Sequence, residues 1–212
     1  MKLQFLAIFL LLAVGAGVTA WYLLRETTSE LACRDRIPAP KVVAFGDSLV
    51  EGQGATTSGG FVSMLSEASG IPIKNLGRGG DTSATARKRI DAVLAEDPDV
   101  VIVLLGGNDA LRRVPTTETE TNLDSILGQL TASGSRVVLL GVLGGLPWDD
   151  PYPDMFERLR DKHQAVYVSN VLSGLIGSET YMSDSIHPNE AGYMRIAERV
   201  RPLLEKSCNP EG

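Results

Sequence analysis

The sequence has few of the residues that commonly bind metal ions, with only two histidines and two cysteines among its 212 residues. The cysteines, Cys33 and Cys208, lie near opposite ends of the chain, and the histidines are His163 and His187. Histidines and cysteines at close spacing are the usual ligands of zinc and similar metals. The sequence offers no such cluster, so we expect a protein that uses neither a metal ion nor another cofactor.

Positive charge is also in short supply, because 20 lysines and arginines stand against 26 aspartates and glutamates, giving a formal net charge of −6. An acidic surface repels the phosphates of nucleic acids, which argues against a nucleic-acid partner. The glycine-rich stretch Gly77-Arg78-Gly79-Gly80 lacks the Gly-Lys-Ser/Thr ending that a phosphate-binding loop requires. We therefore do not interpret it as a phosphate site.

An uncharged run of 22 residues, 3–24, begins after only two other residues. Such a run either spans a bilayer, which needs about 20 apolar residues, or directs export and is then removed. The sequence Val18-Thr19-Ala20 resembles a cleavage site, whereas Trp21 and Tyr22 extend the apolar run beyond it as interfacial aromatics do. Anchor and cleaved signal both place the protein in the periplasm or elsewhere outside the cytoplasm, and a buried N-terminal helix is the third alternative.

The rest of the chain predicts a linker and one domain. Residues 25–40 are polar and contain proline, which is typical of a linker that follows the N-terminal segment 1–24. Residues 41–208 are predicted to form one domain, because this length and a hydrophobic content of 43% in the chain suffice for one sizeable core. Cys33 and Cys208 flank this domain, and in an oxidising compartment they could pair and fix both of its ends. Two unpaired cysteines are the alternative.

From residue 41 onwards, short β-branched runs alternate with longer amphipathic runs. The short runs predict strands at 42–45, 71–76, 100–105, 136–142 and 165–168, and the amphipathic runs predict helices at 60–68, 83–95, 117–132, 153–162 and 189–206. This alternation predicts right-handed crossovers and a mostly parallel sheet that is covered by helices on both faces. Such sheets bind ligands beyond the carboxyl ends of their strands, where Ser48, Gly80 and Asn108 all fall.

Ser48 and His187 supply a candidate nucleophile and its base. A serine hydroxyl reacts poorly until a base takes its proton, and a neutral imidazole has suitable basicity near pH 7. His163 lies in a charged helical stretch where we expect a solvated side chain, which leaves His187. Asp184 precedes His187 by three residues, so it can reach the imidazole from the same turn and orient it. An Asx-turn or a helix-capping role for Asp184 is the alternative, and such a role could coexist with the orienting role.

Attack by a serine on an ester carbonyl creates an oxyanion, which needs preorganised hydrogen-bond donors. Three candidates follow strand ends: the backbone N–H of Ser48, the backbone N–H of Gly80 and the side-chain amide of Asn108. Glycine at position 80 lets the main chain approach a substrate closely, and a tight turn is the alternative reason for it. We expect Asp47 and Asp109 to brace their loops rather than to act as catalytic acids.

Four motifs of this chain resemble, in their order, the four blocks of the SGNH or GDSL hydrolases. The motifs are Gly46-Asp47-Ser48-Leu49, Gly80-Asp81-Thr82-Ser83, Gly107-Asn108-Asp109 and Asp184-Ser185-Ile186-His187-Pro188. They are similar in particular to the bacterial thioesterase I, protease I, lysophospholipase L1 and arylesterase group. The resemblance implies a flavodoxin-like three-layer α/β/α sandwich around a mostly parallel five-stranded sheet. No Gly-x-Ser-x-Gly elbow surrounds Ser48, which excludes the other large serine-esterase fold.

The resemblance also implies a carboxylic ester hydrolase in which Ser48 is the nucleophile, His187 the base and Asp184 its orienting group. The oxyanion hole would then be formed by Ser48, Gly80 and Asn108. The implied substrates are acyl esters, namely aryl esters, acyl thioesters or lysophospholipids, which react through an acyl-serine intermediate.

Four apolar residues are expected near the crevice, where they would either receive the acyl chain or serve ordinary packing: Leu49, Leu111, Leu146 and Trp148. Two other functions stay open from the sequence. One is an O-acetyl esterase or acyltransferase that acts on cell-envelope polysaccharide, and the other is an inactive binding module on the same fold.

Overall fold

Five short apolar runs form one parallel sheet in the computed structural model, which describes residues 40–145 and 150–208. The strands are β1 (Val42–Gly46), β2 (Ile73–Gly77), β3 (Val100–Leu104), β4 (Arg136–Leu140) and β5 (Val166–Val168). Their order across the sheet is β2-β1-β3-β4-β5, and each neighbouring pair is parallel. Strands β1 and β3 are buried along their whole length, as expected for central parallel strands rich in Val and Ile.

Eight helices connect and cover the strands within the described residues. They are α1 (Ser48–Glu51), α2 (Phe61–Ser69), α3 (Ser83–Arg87), α4 (Ile90–Leu94), α5 (Gly107–Leu111), α6 (Thr116–Ala132), α7 (Tyr152–His163) and α8 (Glu190–Ser207). Helix α2 packs against α8, while α6 packs against both α3 and α7. These two groups form the outer layers, and the predicted three-layer α/β/α sandwich is confirmed.

The strand order brings the first functional motifs to one place. The chain runs from β1 outwards to β2 and then returns to the other side of β1 to form β3. In such a sheet the loops after β1 and β3 lead away from each other and leave a crevice at the carboxyl edge. Ser48 follows β1 and Asn108 follows β3, so the crevice opens between them.

The predicted elements all exist, but several boundaries are wrong. The strand predicted at 71–76 begins at Ile73 because Pro72 has no N–H to donate to the ladder. The helix predicted at 83–95 is two helices, α3 and α4. Between them the N–H of Arg89 donates to the carbonyl of Ala86, three residues back, so the α-helical bonding pattern is interrupted. The short helices α1 and α5 were not predicted, since four or five residues give no readable period.

Most of the N-terminal predictions fall outside the described residues. These are the segment 1–24, the linker 25–40 apart from its last residue, and Cys33. Cys208 is fully buried directly after α8, and its pairing with Cys33 stays a prediction. In the part of the chain that the structure describes, no helix combines the length and apolar character needed to cross a membrane.

Candidate active site

The segment from β1 into α1 presents Ser48 at the carboxyl edge of the sheet. Gly46 ends β1, and a Cβ there would lie 2.2 Å from the carbonyl oxygen of Leu104, so only glycine permits this approach of β1 to β3. Asp47 is the N-cap of α1, and its Oδ1 accepts the N–H of Leu49 at 3.0 Å. These constraints hold Ser48 in the first turn of α1 with 7% of its surface exposed.

Ser48, His187 and Asp184 form one hydrogen-bonded chain. The Oγ of Ser48 lies 3.0 Å from Nε2 of His187, and Nδ1 of His187 lies 2.7 Å from Oδ2 of Asp184. The other carboxylate oxygen of Asp184 accepts the backbone N–H of Ile186 at 2.8 Å and that of His187 at 2.7 Å. The structure thus brings together residues that are 139 positions apart in the sequence.

The hydrogen bonds of Asp184 determine the tautomer of His187. The pKa of the Asp184 carboxyl is lowered to about 2, first by its hydrogen bond with the His187 ring and then by the backbone N–H groups of Ile186 and His187. An ionised carboxylate can only accept, so Nδ1 of His187 carries the hydrogen. Nε2 is then the acceptor that faces the hydroxyl of Ser48, as a base must be.

The turn before α8 fixes the imidazole. The carbonyl of His187 accepts the N–H of Ser183 at 2.9 Å and also its hydroxyl at 3.0 Å. Asn189 is the N-cap of α8, and its side chain accepts the N–H of Gly192 at 3.1 Å. Asp184 is therefore not the cap of this helix. Its Oδ1 instead accepts the N–H of Ile186, two residues further on, as in an Asx-turn, and this bond coexists with the bond of Oδ2 to His187.

Two of the three expected oxyanion donors line the crevice, and the third lies beside it. Ser48 and Asn108 belong to the cleft wall, whereas Gly80 is exposed and does not. The side-chain nitrogen of Asn108 donates to the carbonyl of Asp81 at 3.0 Å, which ties the Gly80 segment to α5. The amide nitrogen carries two hydrogens, and this bond uses one of them. Gly80 has φ of +78°, so its glycine identity also serves the turn.

Three buried aspartates brace the loops around the site, and each has a different partner set. Asp109 accepts the N–H of Ser83 at 2.8 Å and its hydroxyl at 2.5 Å. Asp81 receives Nε of Arg89 at 2.6 Å, and Asp47 caps α1. Asp47 is 2% exposed, and burial raises the pKa of its carboxyl to about 7, although the hydrogen bond from Leu49 N–H opposes this rise.

The raised pKa of Asp47 predicts a pH-dependent stability. The folded-state pKa of about 7 is above the ordinary value of 3.8, so the folded state holds the proton more tightly than the unfolded chain. The contribution of the Asp47 carboxyl to the free energy of unfolding is therefore fully present below pH 3.8 and is lost as the pH rises through about 7. Asp47→Asn keeps an acceptor for Leu49 N–H and removes the ionisation.

We expect the free energy of unfolding of Asp47→Asn, relative to the wild-type protein, to increase as the pH rises across this interval. The gain is at most about 1.4 kcal/mol per pH unit. Urea unfolding of both proteins at several pH values measures this difference, because the other titrating groups are common to both. A stability difference that does not change with pH would contradict the assignment.

The cleft between Ser48, Asn108 and His187 has a volume of about 270 Å³ and a largely apolar wall. Leu49 and Leu111 line it as predicted, while Leu146 and Trp148 lie outside the described residues. Further apolar side chains of the wall were missed by the sequence analysis: Ala110, Val142, Leu143, Leu172, Ile176 and Ile186. Several are on loops, where no periodicity marks a residue as facing a cleft.

Large apolar side chains are exposed mainly around this cleft. In the described residues there are five, and four of them line its wall: Leu111, Leu143, Ile176 and Ile186. Their exposed fractions range from 38% to 60%. The fifth, Met194, lies on α8 and is not part of the wall. An exposed apolar patch concentrated at one opening indicates a site for an apolar ligand.

The second histidine is not part of the site. Nε2 of His163 lies 2.8 Å from Oδ1 of Asp124, a hydrogen-bond partner on α6, and the side chain is 9% exposed. The solvated side chain expected for His163 is therefore wrong, because α7 packs against α6 and covers it. Within residues 40–145 and 150–208, no three His, Cys, Asp or Glu side chains are grouped so that they could hold a metal ion.

A serine hydroxyl bonded to an imidazole that a carboxylate orients is the arrangement of the serine hydrolases. Here the serine lies at the carboxyl edge of a parallel sheet in an α/β/α sandwich, and no Gly-x-Ser-x-Gly elbow surrounds it. The missing elbow excludes the other large serine-esterase fold. The model of the GDSL-like lipase/acylhydrolase family matches residues 44–195, and the chain belongs to this family. It is therefore an acyl ester hydrolase.

Comparison with known proteins gives relatives of similar length. The chain is 33% identical over 178 residues to an esterase of Pseudomonas aeruginosa named TesA, which covers 79% of this chain and 89% of the relative. It is 27% identical over 180 residues to thioesterase 1/protease 1/lysophospholipase L1 of Escherichia coli, and the alignment covers 81% of this chain and 86% of the relative. A crystal structure of TesA superimposes with a TM-score of 0.73 at 31% identity, covering 79% of this chain and 99% of that one.

Proposed function

We propose that Ser48 is the catalytic nucleophile and that the protein hydrolyses acyl esters through an acyl-serine intermediate. The observation that carries this proposal is the chain of hydrogen bonds from Ser48 through His187 to Asp184. A serine that merely packed at the end of a strand would not require an imidazole whose tautomer is set by a carboxylate on the other ring nitrogen. The arrangement supplies a base at hydrogen-bonding distance from the hydroxyl of Ser48, which lines the cleft.

The reaction divides into two displacements. In the first, Oγ of Ser48 bonds to the carbonyl carbon of the ester while its proton passes to Nε2 of His187. The tetrahedral intermediate then collapses, the bond to the leaving alkoxide, phenoxide or thiolate breaks, and His187 returns the proton to that group. In the second displacement, water gives a proton to His187 and its oxygen bonds to the acyl carbon. Collapse releases the carboxylic acid and restores the hydroxyl of Ser48.

Asp184 and the oxyanion donors support both displacements. Asp184 keeps Nδ1 of His187 protonated and stabilises the imidazolium that forms during each attack. We assign the oxyanion hole to the backbone N–H of Ser48, the backbone N–H of Gly80 and the side-chain amide of Asn108. Such donors stabilise the charge that develops on the carbonyl oxygen, and loss of one of them costs about 3 kcal/mol.

The apolar wall supports acyl chains longer than acetyl as substrates. Ile176, Leu143 and Leu111 are exposed at the opening and would cover an acyl chain that leaves the carbonyl at Ser48. Burial of each methylene is worth about 0.8 kcal/mol, so a chain of several carbons gains substantial binding. The names of the relatives include esterase, thioesterase and lysophospholipase. We propose aryl esters, acyl thioesters and lysophospholipids as the substrate classes.

A chain-length series tests this substrate assignment. We expect kcat/KM for p-nitrophenyl esters to rise from acetyl to octanoyl. Ile176→Asp is expected to lower it roughly tenfold for octanoyl but little for acetyl, because only the longer chain reaches the wall. Met194→Asp is the matched control, since Met194 is similarly exposed but outside the cleft. A flat profile, or one confined to acetyl, would reject the acyl-binding wall.

We further propose that the domain works outside the cytoplasm. Support comes from the sequence alone, since residues 3–24 are uncharged and Cys33 and Cys208 flank the domain. A disulfide between these cysteines is stable only in an oxidising compartment. The intact mass of the protein purified from its native host, before and after reduction, would identify the mature N-terminus and count the free thiols. A mature chain with two free thiols would contradict the disulfide.

A further inference from the structure

The loop that follows the nucleophile lies directly on the turn that carries the base. Residues 52–60 connect α1, which begins with Ser48, to α2. At Gly54 this loop is so close to the turn that a Cβ would lie 2.4 Å from the carbonyl oxygen of Pro188 and 3.2 Å from Cβ of His187. The loop and the turn that carries His187 are therefore closely packed, with no room for a side chain between them at Gly54.

Glu190 fastens this loop to the first turn of α8. One carboxylate oxygen, Oε1, accepts three consecutive backbone N–H groups, from Thr56 at 2.8 Å, Thr57 at 2.6 Å and Ser58 at 3.2 Å. It also accepts the hydroxyl of Thr57 at 2.9 Å, while Oε2 accepts the hydroxyl of Ser58. We call this set of bonds the Glu190 clamp. The bonds lower the pKa of Glu190 to about 2, the hydroxyl of Ser58 being the first cause.

A second bond from the same helix holds the other end of the loop. The hydroxyl of Tyr193 donates to the carbonyl of Gln53 at 2.6 Å, and the Tyr193 ring is buried and stacked on Phe61 at 6.5 Å. The first turn of α8 thus holds the loop at Gln53 and again at 56–58. Because His187 lies three residues before Glu190, the loop and the base are connected through a very short stretch of chain.

The clamp is not required to begin α8. Asn189 already caps the helix through Gly192 N–H, so the carboxylate of Glu190 is free to bond outside its own helix. Acidic side chains in the first turn of a helix usually act on the helix dipole, which needs only charge. Glu190 instead contacts a loop more than 130 residues away in the sequence, which needs both reach and geometry.

We propose that Glu190 is a positioning residue that sets the separation of Ser48 and His187 by fastening loop 52–60 to the first turn of α8. The proposal rests on the proposed roles of Ser48 and His187. Misplacement of reacting groups by about 1 Å can cost roughly a hundredfold in rate. The Glu190 clamp would prevent such displacement without touching the substrate.

Four variants separate positioning from charge and from general stability. Glu190→Ala removes the clamp, Glu190→Gln keeps the reach and an acceptor oxygen but loses the charge, and Glu190→Asp keeps the charge but is one methylene too short. Glu198→Gln is the matched control, because Glu198 is an exposed carboxylate on the same helix that pairs with Arg195. Competent sites are counted by titration with a fluorophosphonate, so that kcat is expressed per reactive serine and misfolded protein does not contribute.

We expect kcat per titrated site to fall roughly tenfold or more in Glu190→Ala and in Glu190→Asp, with KM for an acetyl ester within about twofold of the wild-type value. Glu190→Gln is expected to remain within about threefold of the wild-type kcat, because its carbonyl oxygen still accepts the loop N–H groups. Glu198→Gln should match the wild-type protein.

A kcat per site in Glu190→Ala equal to the wild-type value would overturn the proposal. A kcat that is retained in Glu190→Asp but lost in Glu190→Gln would also overturn it, because the effect would then depend on charge. If Glu190→Ala does not fold, the comparison of Gln with Asp still decides. The proposed function itself is tested separately by Ser48→Ala. An inactive Ser48→Ala together with a fully active Glu190→Ala would overturn only the clamp.

Discussion

Replacement of Ser48 by alanine is expected to lower kcat roughly ten-thousand- to million-fold, because the attacking oxygen is removed while the rest of the site remains. Within the described residues, the hydroxyl of Ser48 has one hydrogen-bond partner, Nε2 of His187, so its loss does not disrupt the fold. Initial rates with a p-nitrophenyl ester measure the effect. The residual rate would come from the oxyanion donors and substrate binding alone.

Labelling with a fluorophosphonate gives an independent measurement of the same prediction. The wild-type protein should carry one adduct, located on the peptide that contains Ser48, and the alanine variant should carry none. Ser63→Ala is the control, since Ser63 is an exposed serine on α2. Retention of more than a tenth of the wild-type turnover by Ser48→Ala, or an adduct on another residue, would refute the nucleophile assignment.

Asp184→Asn is expected to lower kcat about ten-thousand-fold, the effect of presenting the wrong imidazole tautomer. Oδ1 of Asp184 accepts the N–H groups of Ile186 and His187, so the amide oxygen of asparagine will remain at that position. Its NH2 group must then face Nδ1 of His187, which is forced to accept. The hydrogen of the neutral ring moves to Nε2, and His187 can no longer take the proton of Ser48.

The thermal midpoint separates this chemical effect from unfolding. Asp184→Asn retains the two backbone bonds, so we expect a Tm within a few degrees of the wild-type value while kcat is lost. Asp161→Asn is a suitable control, because Asp161 is an exposed carboxylate that pairs only with its neighbour Arg160 among the described residues. An Asp184→Asn variant with normal turnover would show that the carboxylate does not set the tautomer.

The central sheet could be predicted because its residues carry a local signal. Val100–Leu104 and Val42–Gly46 are continuous β-branched and apolar runs, and the alternation with amphipathic segments required parallel connections. His187 could be identified because the sequence has only two histidines and one of them follows Asp184 at a short spacing. Composition and spacing were sufficient for these parts of the molecule.

Other parts depend on contacts that the sequence does not display. In the sequence, Glu190 is an ordinary acidic residue at the start of a helix. Its hydrogen bonds to residues 56–58 can be seen only in the folded structure. Ile176 and Ile186 lie in loops, where exposure at a cleft has no periodic signature. Arg89 belongs to a predicted continuous helix, yet it lies at the break between α3 and α4. For Glu190 and Arg89 a partner that is distant in the sequence determines the role, and for the two isoleucines it is the place of their loops beside the cleft.

The guanidinium of Arg89 links strand β2 to the rest of the sheet. It donates to the carbonyls of Leu76 and Gly46, each at 2.8 Å, and pairs with Asp81 while lying over the ring of Phe45. Strand β2 is at the margin of the sheet, where peeling normally begins. Here the separation of β2 from β1 would also break the bond from Arg89 to Leu76, whereas the bonds of Arg89 to Gly46 and Asp81 do not involve β2. One side chain thus connects the marginal strand β2, the central strand β1 and the turn at Asp81 beside the active site.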